Sequence, residues 1–65
     1  GGSAPAYLNA ANEVLVDRFL KRQIPWNAIS GLLEKLLAQH QVVPANSLET
    51  ILSVDREARE EAKLA

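Results

Sequence analysis

The strongest helical pattern in the sequence is WNAISGLLEKLLAQH, at residues 26–40. Its apolar residues recur three and four positions apart, which places them on one face of an α-helix. That face contains Trp26, Ile29, Leu32, Leu33, Leu36 and Leu37. A broad apolar face has to pack against other elements, so the stretch predicts a helical bundle. Tryptophan is often an interface anchor, but the position of Trp26 on this face favours packing in the core.

A second helix is predicted before this one, at residues 6–22. Its apolar stripe comprises Leu8, Ala11, Leu15 and Phe19. Its outer strip comprises Ala10, Glu13, Asp17 and Lys21. Ser3 is a candidate N-cap, and Pro5 suits the first turn. Because further apolar residues lie beside the stripe, this helix needs cover on more than one side.

A third helix is predicted after Pro44, which removes a backbone donor and keeps the preceding residue extended. Ser47 can cap this helix, or Asn46 can do so with Glu49 at the capping-box spacing. The apolar stripe comprises Leu48, Ile51, Leu52, Ala58 and Ala62. The pattern also permits a kink near residues 53–54. Together the stretches predict an all-α fold, a small three-helix bundle in which residues 1–65 form a single helical domain.

The composition excludes several classes of protein. The 65 residues include 7 basic and 8 acidic side chains, a formal net charge of −1, so no cationic field draws the chain to nucleic acid or to an anionic membrane. The absence of cysteine excludes a disulfide framework and a thiolate metal site. No apolar run approaches the roughly 20 residues of a membrane span, and the first residues do not resemble a signal peptide. A cytoplasmic location is therefore expected.

Five polar residues are candidates for packing or interdomain contacts: Asn9, Asn12, Glu13, Asp55 and Arg59. Asn12 projects onto the apolar stripe of its helix, where an amide needs hydrogen-bond partners in a neighbouring helix, a loop, a ligand or another domain. Asp55 falls on the stripe of the third helix, and Arg59, one turn later, can pair with it. Glu13 and Asp17 are most simply interpreted as solvated charges.

The sequence contains no recognisable catalytic pattern. His40, the one histidine, lies at the end of a predicted helix, where an imidazolium interacts favourably with the last carbonyls. A helical dinuclear metal site needs Glu-x-x-His motifs, a phosphate site needs a glycine-rich loop, and nucleophilic catalysis needs a nucleophile beside an oriented base. None of these patterns is present. We therefore predict no catalytic, cofactor-binding or metal-binding residues in the chain.

Residues 1–13, GGSAPAYLNAANE, resemble the segment that opens the C-terminal helical domain of the 1-deoxy-D-xylulose 5-phosphate reductoisomerase family. The similarity continues along the chain with RFL at residues 18–20, QIPW at 23–26 and SLE at 47–49. It ends with Asp55 and the pair Ala58 and Arg59. Two positions depart from the family pattern: Pro25 replaces a polar helix start, and Ala28 replaces an acidic residue.

The resemblance implies that the chain is part of an NADPH-dependent oxidoreductase that uses magnesium or manganese. Enzymes of this family isomerise and reduce 1-deoxy-D-xylulose 5-phosphate to 2-C-methyl-D-erythritol 4-phosphate, in the methylerythritol phosphate pathway of isoprenoid biosynthesis. The nucleotide-binding and catalytic domains of the family precede the matched part. The resemblance therefore implies a non-catalytic chain whose partners are those domains, within a parent enzyme that is a homodimer.

The family also has a further helix before the matched part, so the three helices are expected to be an incomplete portion of a four-helix C-terminal domain. The location expected from the resemblance is cytoplasmic, or a plastid if the source is a plant or alga. An alternative function for the same residues is a free-standing helical interaction module that offers the uncovered side of its first helix to a partner.

Overall fold

The computed structural model describes residues 2–65, which fold into three α-helices. Helix α1 spans Ala4–Leu20, α2 spans Ile29–Gln39 after a short 3₁₀ turn at Trp26–Ala28, and α3 spans Leu48–Leu64. The described residues form no strand, and their β-type pairing is limited to an isolated antiparallel bridge between Gly2 and Pro44. The predicted all-α, three-helix fold is confirmed. Each of these helices is too short or too polar to cross a membrane.

Helix α1 begins two residues earlier and ends two residues earlier than predicted. Ser3 occupies the N-cap position, but its side chain makes no capping hydrogen bond. The helix ends in a Schellman arrangement, in which Arg22 N–H donates to Phe19 O at 2.9 Å and Gln23 N–H donates to Arg18 O at 2.8 Å. Arg22 takes the left-handed conformation that this ending requires, with φ of 60°.

The buried face of α1 agrees with the predicted stripe only in part, because Ala11 and Leu15 are buried as predicted but Leu8 is not. Its buried residues are Tyr7, Ala10, Ala11, Val14 and Leu15. Leu8, predicted in the core, is 40% exposed, whereas Ala10, predicted on the outer strip, is 1% exposed. Helix α1 packs most extensively against α3, whose buried residues include Ala58 and Ala62. Small side chains on both helices favour a close approach of the two backbones. That approach buries the side of α1 that contains Ala10 and Ala11, which we call its alanine face, and leaves Leu8 exposed.

Helix α2 contributes Ile29 and Leu36 to the buried core. Leu32, Leu33 and Leu37 are partly buried against it. The prediction for Trp26 was wrong, because this side chain is 68% exposed. It lies in the 3₁₀ turn, where three residues complete a turn instead of 3.6, so the α-helical spacing does not place it on the apolar face. Its ring instead meets Phe19 edge to face, with centroids 5.4 Å apart.

Of the two predicted N-caps of α3, the structure has Ser47 and not Asn46, since the Ser47 hydroxyl accepts the Thr50 N–H at 3.2 Å. It runs without interruption through residues 53–54. Its buried residues are Val54, Ala58 and Ala62. The early part of the predicted stripe was wrong, because Leu48, Ile51 and Leu52 are 70%, 38% and 53% exposed. The side-chain hydrogen bonds from α1 reach the second half of α3, so the first turns of α3 have little to pack against.

We expect Gly31→Ala to raise the free energy of unfolding of the 65-residue chain by about 1 kcal/mol, the difference in helix propensity between the two residues. Gly31 is exposed inside α2, and a Cβ added there would meet no neighbouring element within 4 Å. Urea unfolding followed by circular dichroism measures the effect. A destabilised variant would show that another backbone approaches this face closely.

Candidate functional site

A polar cluster joins the start of α1 to the connection between α2 and α3. Its members are Ser3, Tyr7, His40, Glu57 and Glu61, and we call it the His40 cluster. Ser3 N–H donates to Val43 O at 2.9 Å, and Val43 N–H donates to the Ser3 hydroxyl oxygen, also at 2.9 Å. Ser3 and Tyr7 are both 0% exposed. The first residues of the helix are therefore tied to a segment 40 positions away in the sequence.

His40 is the centre of this cluster. Its backbone is extended, with φ of −71° and ψ of 129°, and its N–H donates to Leu36 O and Leu37 O at the end of α2. The sequence predicted that the imidazole interacts with those last carbonyls, and this prediction was wrong. Instead Nε2 lies 2.8 Å from Ser3 Oγ, and the ring stacks on Tyr7 with centroids 4.2 Å apart. The ring is buried because the α2–α3 connection folds back over the start of α1.

The other ring nitrogen of His40 has no hydrogen-bond partner among the described residues. Nδ1 lies 3.8 Å from Glu57 Oε1, and the His40 side chain is 2% exposed. That distance is too long for a hydrogen bond. A buried nitrogen without a partner is uncommon in folded proteins.

Tyr7 carries the second polar contact of the cluster. Its hydroxyl donates to Glu61 on α3. Burial of the phenol raises the pKa of Tyr7 above its ordinary value, and the hydrogen bond to Glu61 and the charges of Glu61 and Glu57 raise it further. The side chain is therefore a protonated phenol at neutral pH, buried in the core with its donor satisfied.

The order of serine, histidine and carboxylate in this cluster resembles a catalytic triad, but the geometry does not support catalysis. Ser3 is fully buried, and its Oγ already accepts the Val43 N–H. The carboxylate of Glu57 does not reach His40 Nδ1. A nucleophile that no substrate can reach has a structural role. Metal binding is not supported either, since residues 2–65 contain no group of three or more candidate ligands.

A second polar cluster links α1 and α3 at the surface. Arg59 Nε donates to Asp55 Oδ2 at 2.8 Å, as the sequence predicted, and Arg59 Nη2 donates to Glu13 Oε2 at 2.8 Å. The hydrogen bonds to Asp55 and to Glu13 raise the pKa of Arg59. The structure thus brings together three of the five candidate residues. Glu13, interpreted from sequence as a solvated charge, is an interhelical partner that remains 66% exposed.

These charges line an open groove of about 590 Å³ between α1 and α3. Lys21 pairs with Asp17 at 2.9 Å. Arg18 donates to Ala62 O at 2.9 Å and to Ala65 O at 2.8 Å, a favourable position for a cation at a helix C-terminus. Most of the basic side chains in the groove are thus paired within the bundle. They link α1 to α3 or neutralise nearby charges, and they do not present free positive charge to a ligand.

The other two candidates, Asn9 and Asn12, are exposed, and neither side chain hydrogen-bonds within residues 2–65. The prediction that Asn12 lies on the buried face was wrong for the same reason as for Leu8, because α1 turns its alanine face to α3. The helix surface that remains open carries Leu8, Asn9, Asn12 and Leu20, and we call it the outer face of α1. Leu8 is 40% exposed and Leu20 is 70% exposed.

The protein-family model of the DXP reductoisomerase C-terminal domain matches residues 1–61. This chain belongs to the DXP reductoisomerase C-terminal domain family. The predicted resemblance is confirmed along nearly the whole sequence.

Individual reductoisomerases agree with this assignment. The 1-deoxy-D-xylulose 5-phosphate reductoisomerase of Protochlamydia amoebophila is 60% identical over 62 residues, which cover 95% of this chain and 16% of that protein. That of Pseudomonas putida strain W619 is 53% identical over 60 residues, or 92% of this chain and 15% of that protein. The structure of the Zymomonas mobilis reductoisomerase in complex with NADPH matches with a TM-score of 0.91 and 39% identity, over 98% of this chain and 17% of that chain. The chain thus spans about a sixth of the length of these reductoisomerases.

Proposed function

We propose that this chain is the C-terminal helical domain of a 1-deoxy-D-xylulose 5-phosphate reductoisomerase and supports the catalytic domains without performing chemistry itself. The observation that carries the proposal is the family match over residues 1–61, together with identities of up to 60% to proteins of that name. The parent enzyme would use NADPH to isomerise and reduce 1-deoxy-D-xylulose 5-phosphate in isoprenoid biosynthesis. It would be a cytoplasmic homodimer, and residues 1–65 would form one domain of it.

The side chains of this domain do not fit the cofactors of the parent. No set of three candidate ligands among residues 2–65 suits a magnesium or manganese ion, and the sequence has no glycine-rich phosphate loop. The polar side chains that the structure groups together bond with one another inside the bundle. These features support a structural role for the domain, with NADPH and metal held by other domains.

The outer face of α1 is the surface that we assign to contact with the rest of the enzyme. Two exposed leucines, Leu8 and Leu20, flank the amides of Asn9 and Asn12 on one side of the helix. An apolar patch that contains unpaired amides suits an interface, since the leucines bury area and the amides provide hydrogen bonds that fix register. A further helix of the parent enzyme on this face would complete a four-helix domain.

The proposal is tested by comparing the 65-residue chain with the full-length enzyme from the same gene. Both are assayed with NADPH, 1-deoxy-D-xylulose 5-phosphate and Mn²⁺. We expect substrate-dependent oxidation of NADPH by the full-length enzyme and none by the 65-residue chain. Turnover by the chain alone would contradict the supporting role. If the gene encodes no domain for dinucleotide binding, the alternative of a free-standing interaction module is correct instead.

The assignment of the outer face predicts that Asn12→Leu has different effects in the two proteins. In the 65-residue chain the side chain is exposed, so the free energy of unfolding should change by no more than about 0.5 kcal/mol. In the full-length enzyme the lost amide leaves partner groups unsatisfied, at a cost of about 1–3 kcal/mol. Thermal unfolding and steady-state kinetics measure both effects. A large fall in kcat with unchanged stability and KM would place Asn12 in the chemistry instead.

A further inference from the structure

We propose that Ser3, His40 and Glu57 form a proton-controlled clasp that fixes the start of α1 against the α2–α3 connection, closed when the imidazole is neutral and loosened when it is protonated. The chemistry of this clasp is independent of the proposed function. Its consequence for the enzyme does rest on that function, because the clasp lies at the N-terminal end of a C-terminal domain, where the other domains would join.

The hydrogen bonds of Ser3 determine which ring nitrogen of neutral His40 carries the proton. The Ser3 hydroxyl oxygen accepts the Val43 N–H at 2.9 Å and lies 2.8 Å from His40 Nε2. A hydroxyl has one hydrogen to donate, and a fully buried one must donate it to some acceptor. His40 Nε2 is the acceptor within reach, so the Ser3 hydroxyl donates to it. A neutral His40 must then carry its proton on Nδ1.

Protonation reverses this arrangement. An imidazolium donates from both ring nitrogens, so Nε2 can no longer accept from Ser3. The hydroxyl hydrogen of Ser3 is then left without its acceptor in a site that is 0% exposed. At the same time the cation is attracted to Glu57, whose Oε1 lies 3.8 Å from Nδ1. The second lone pair of the Ser3 oxygen could accept the Nε2–H of the imidazolium, but the hydroxyl hydrogen would still lack an acceptor. Protonation therefore destabilises the closed arrangement at Ser3, while it strengthens the attraction between His40 and Glu57.

The surroundings of the His40 ring allow it to move from Ser3 towards Glu57 without disrupting the bundle. The groups that face it are Ser3 before α1, the Tyr7 ring on α1, and the carboxylates of Glu57 and Glu61 on α3. Tyr7 stays protonated and stacked, and an aromatic face tolerates either a neutral or a cationic neighbour. The Glu61 carboxylate is occupied by the Tyr7 hydroxyl. Glu57 is thus the carboxylate available to draw the ring away from Ser3.

The movable part of the clasp is the segment around Val43. This residue is joined to Ser3 by two hydrogen bonds, and Gly2 forms an isolated bridge with Pro44. A Cβ at Gly2 would lie 2.7 Å from Val42 Cγ1, which shows how closely the two segments approach. Loosening at the Ser3 hydroxyl weakens this pairing, which then depends on the Ser3 N–H bond to Val43 O and on the bridge between Gly2 and Pro44. The start of α1 is then held less firmly against the α2–α3 connection.

The test is nuclear magnetic resonance of the 65-residue chain labelled with ¹⁵N. Histidine ordinarily changes charge between about pH 8 and 5, so spectra are recorded across that range. At the neutral end we expect the ring signals of a neutral His40 protonated on Nδ1. On acidification the hydrogen-exchange protection of the Val43 amide should fall by about tenfold, the change in population that the loss of one hydrogen bond gives, while the Leu15 amide in the core keeps its protection.

Two variants separate the clasp from general unfolding. Ser3→Ala removes the acceptor of the Val43 N–H, so protection of that amide should be low at every pH while the Leu15 amide stays protected. Glu57→Gln removes the attracting charge and keeps the shape, so the Val43 amide of this variant should keep more of its protection at the acid end of the range. A neutral ring protonated on Nε2, or a Val43 amide whose protection is the same at both ends of the pH range, overturns the proposal. Neither result bears on whether the chain is a reductoisomerase domain, which the activity assay decides.

Discussion

Leu15→Ala is expected to lower the free energy of unfolding of the 65-residue chain by about 2–5 kcal/mol. Leu15 is 0% exposed, one of the largest side chains to be completely buried, and it lies in the middle of α1. Truncation removes the buried methyl groups and leaves a cavity that the neighbouring helices fill only in part. A chain of 65 residues has a total stability of about 3–10 kcal/mol. This single change therefore removes a large share of it.

The matched control is Leu20→Ala, which makes the same change in the same helix at a site that is 70% exposed. Its effect on the 65-residue chain should be no more than about 0.5 kcal/mol. Leu15→Met, which keeps the volume, should cost less than about 1.5 kcal/mol and remains measurable if the alanine variant is unfolded. Urea unfolding of all three gives the comparison. Equal losses at Leu15 and Leu20 would show that the outer face of α1 is as buried as the face that contains Leu15.

The face of α1 is also where sequence reasoning went wrong in a way that physics explains. The spacing of apolar residues predicted the helix correctly, because every plausible packing needs that period. The period alone does not say which side of the helix is buried when apolar residues surround it. Leu8 and Phe19 have the larger transfer free energies, so they define the predicted stripe. The structure keeps Ala11 of that stripe in the core but adds Ala10 and exposes Leu8, because α3 offers Ala58 and Ala62 and the helices can approach closely there.

The polar contacts that could be predicted from the sequence are those between residues close together in the chain. The pair of Asp55 and Arg59 was predictable, because residues four apart on a helix are neighbours wherever the helix lies. The contact between Ser3 and His40 joins residues 37 positions apart, and that between Tyr7 and Glu61 joins residues 54 apart. No local pattern encodes such pairs. A signal was nevertheless present, since Ser3, Tyr7 and His40 all lie near helix ends, and elements that pack side by side bring their ends together.

Tyr7 is expected to make the chain unfold in alkali. Burial, the hydrogen bond to Glu61 and the neighbouring carboxylate charges raise the pKa of Tyr7 in the folded state, whereas an unfolded chain has the ordinary value of about 10. Above pH of about 10 the unfolded chain therefore binds fewer protons than the folded chain, and the free energy of unfolding falls as pH rises. The contribution of Tyr7 is complete below that pH. Above it, the loss approaches about 1.4 kcal/mol for each pH unit.

The measurement is clear because Tyr7 is the one tyrosine in the chain, so the ultraviolet absorbance of tyrosinate reports on this residue alone. We expect tyrosinate to appear together with the loss of helical circular dichroism, in one transition that starts above pH of about 10. Tyr7→Phe is the control, since it keeps the ring and all the lysines and removes the ionisable hydroxyl. Without the hydrogen bond to Glu61, the free energy of unfolding of this variant should be lower by about 1 kcal/mol at neutral pH. In alkali, however, its free energy of unfolding should fall less steeply with pH than that of the unchanged chain. Tyrosinate that forms at the ordinary pH while the helices stay intact would mean that the hydroxyl is open to solvent, and that the contact between Tyr7 and Glu61 does not hold α1 to α3.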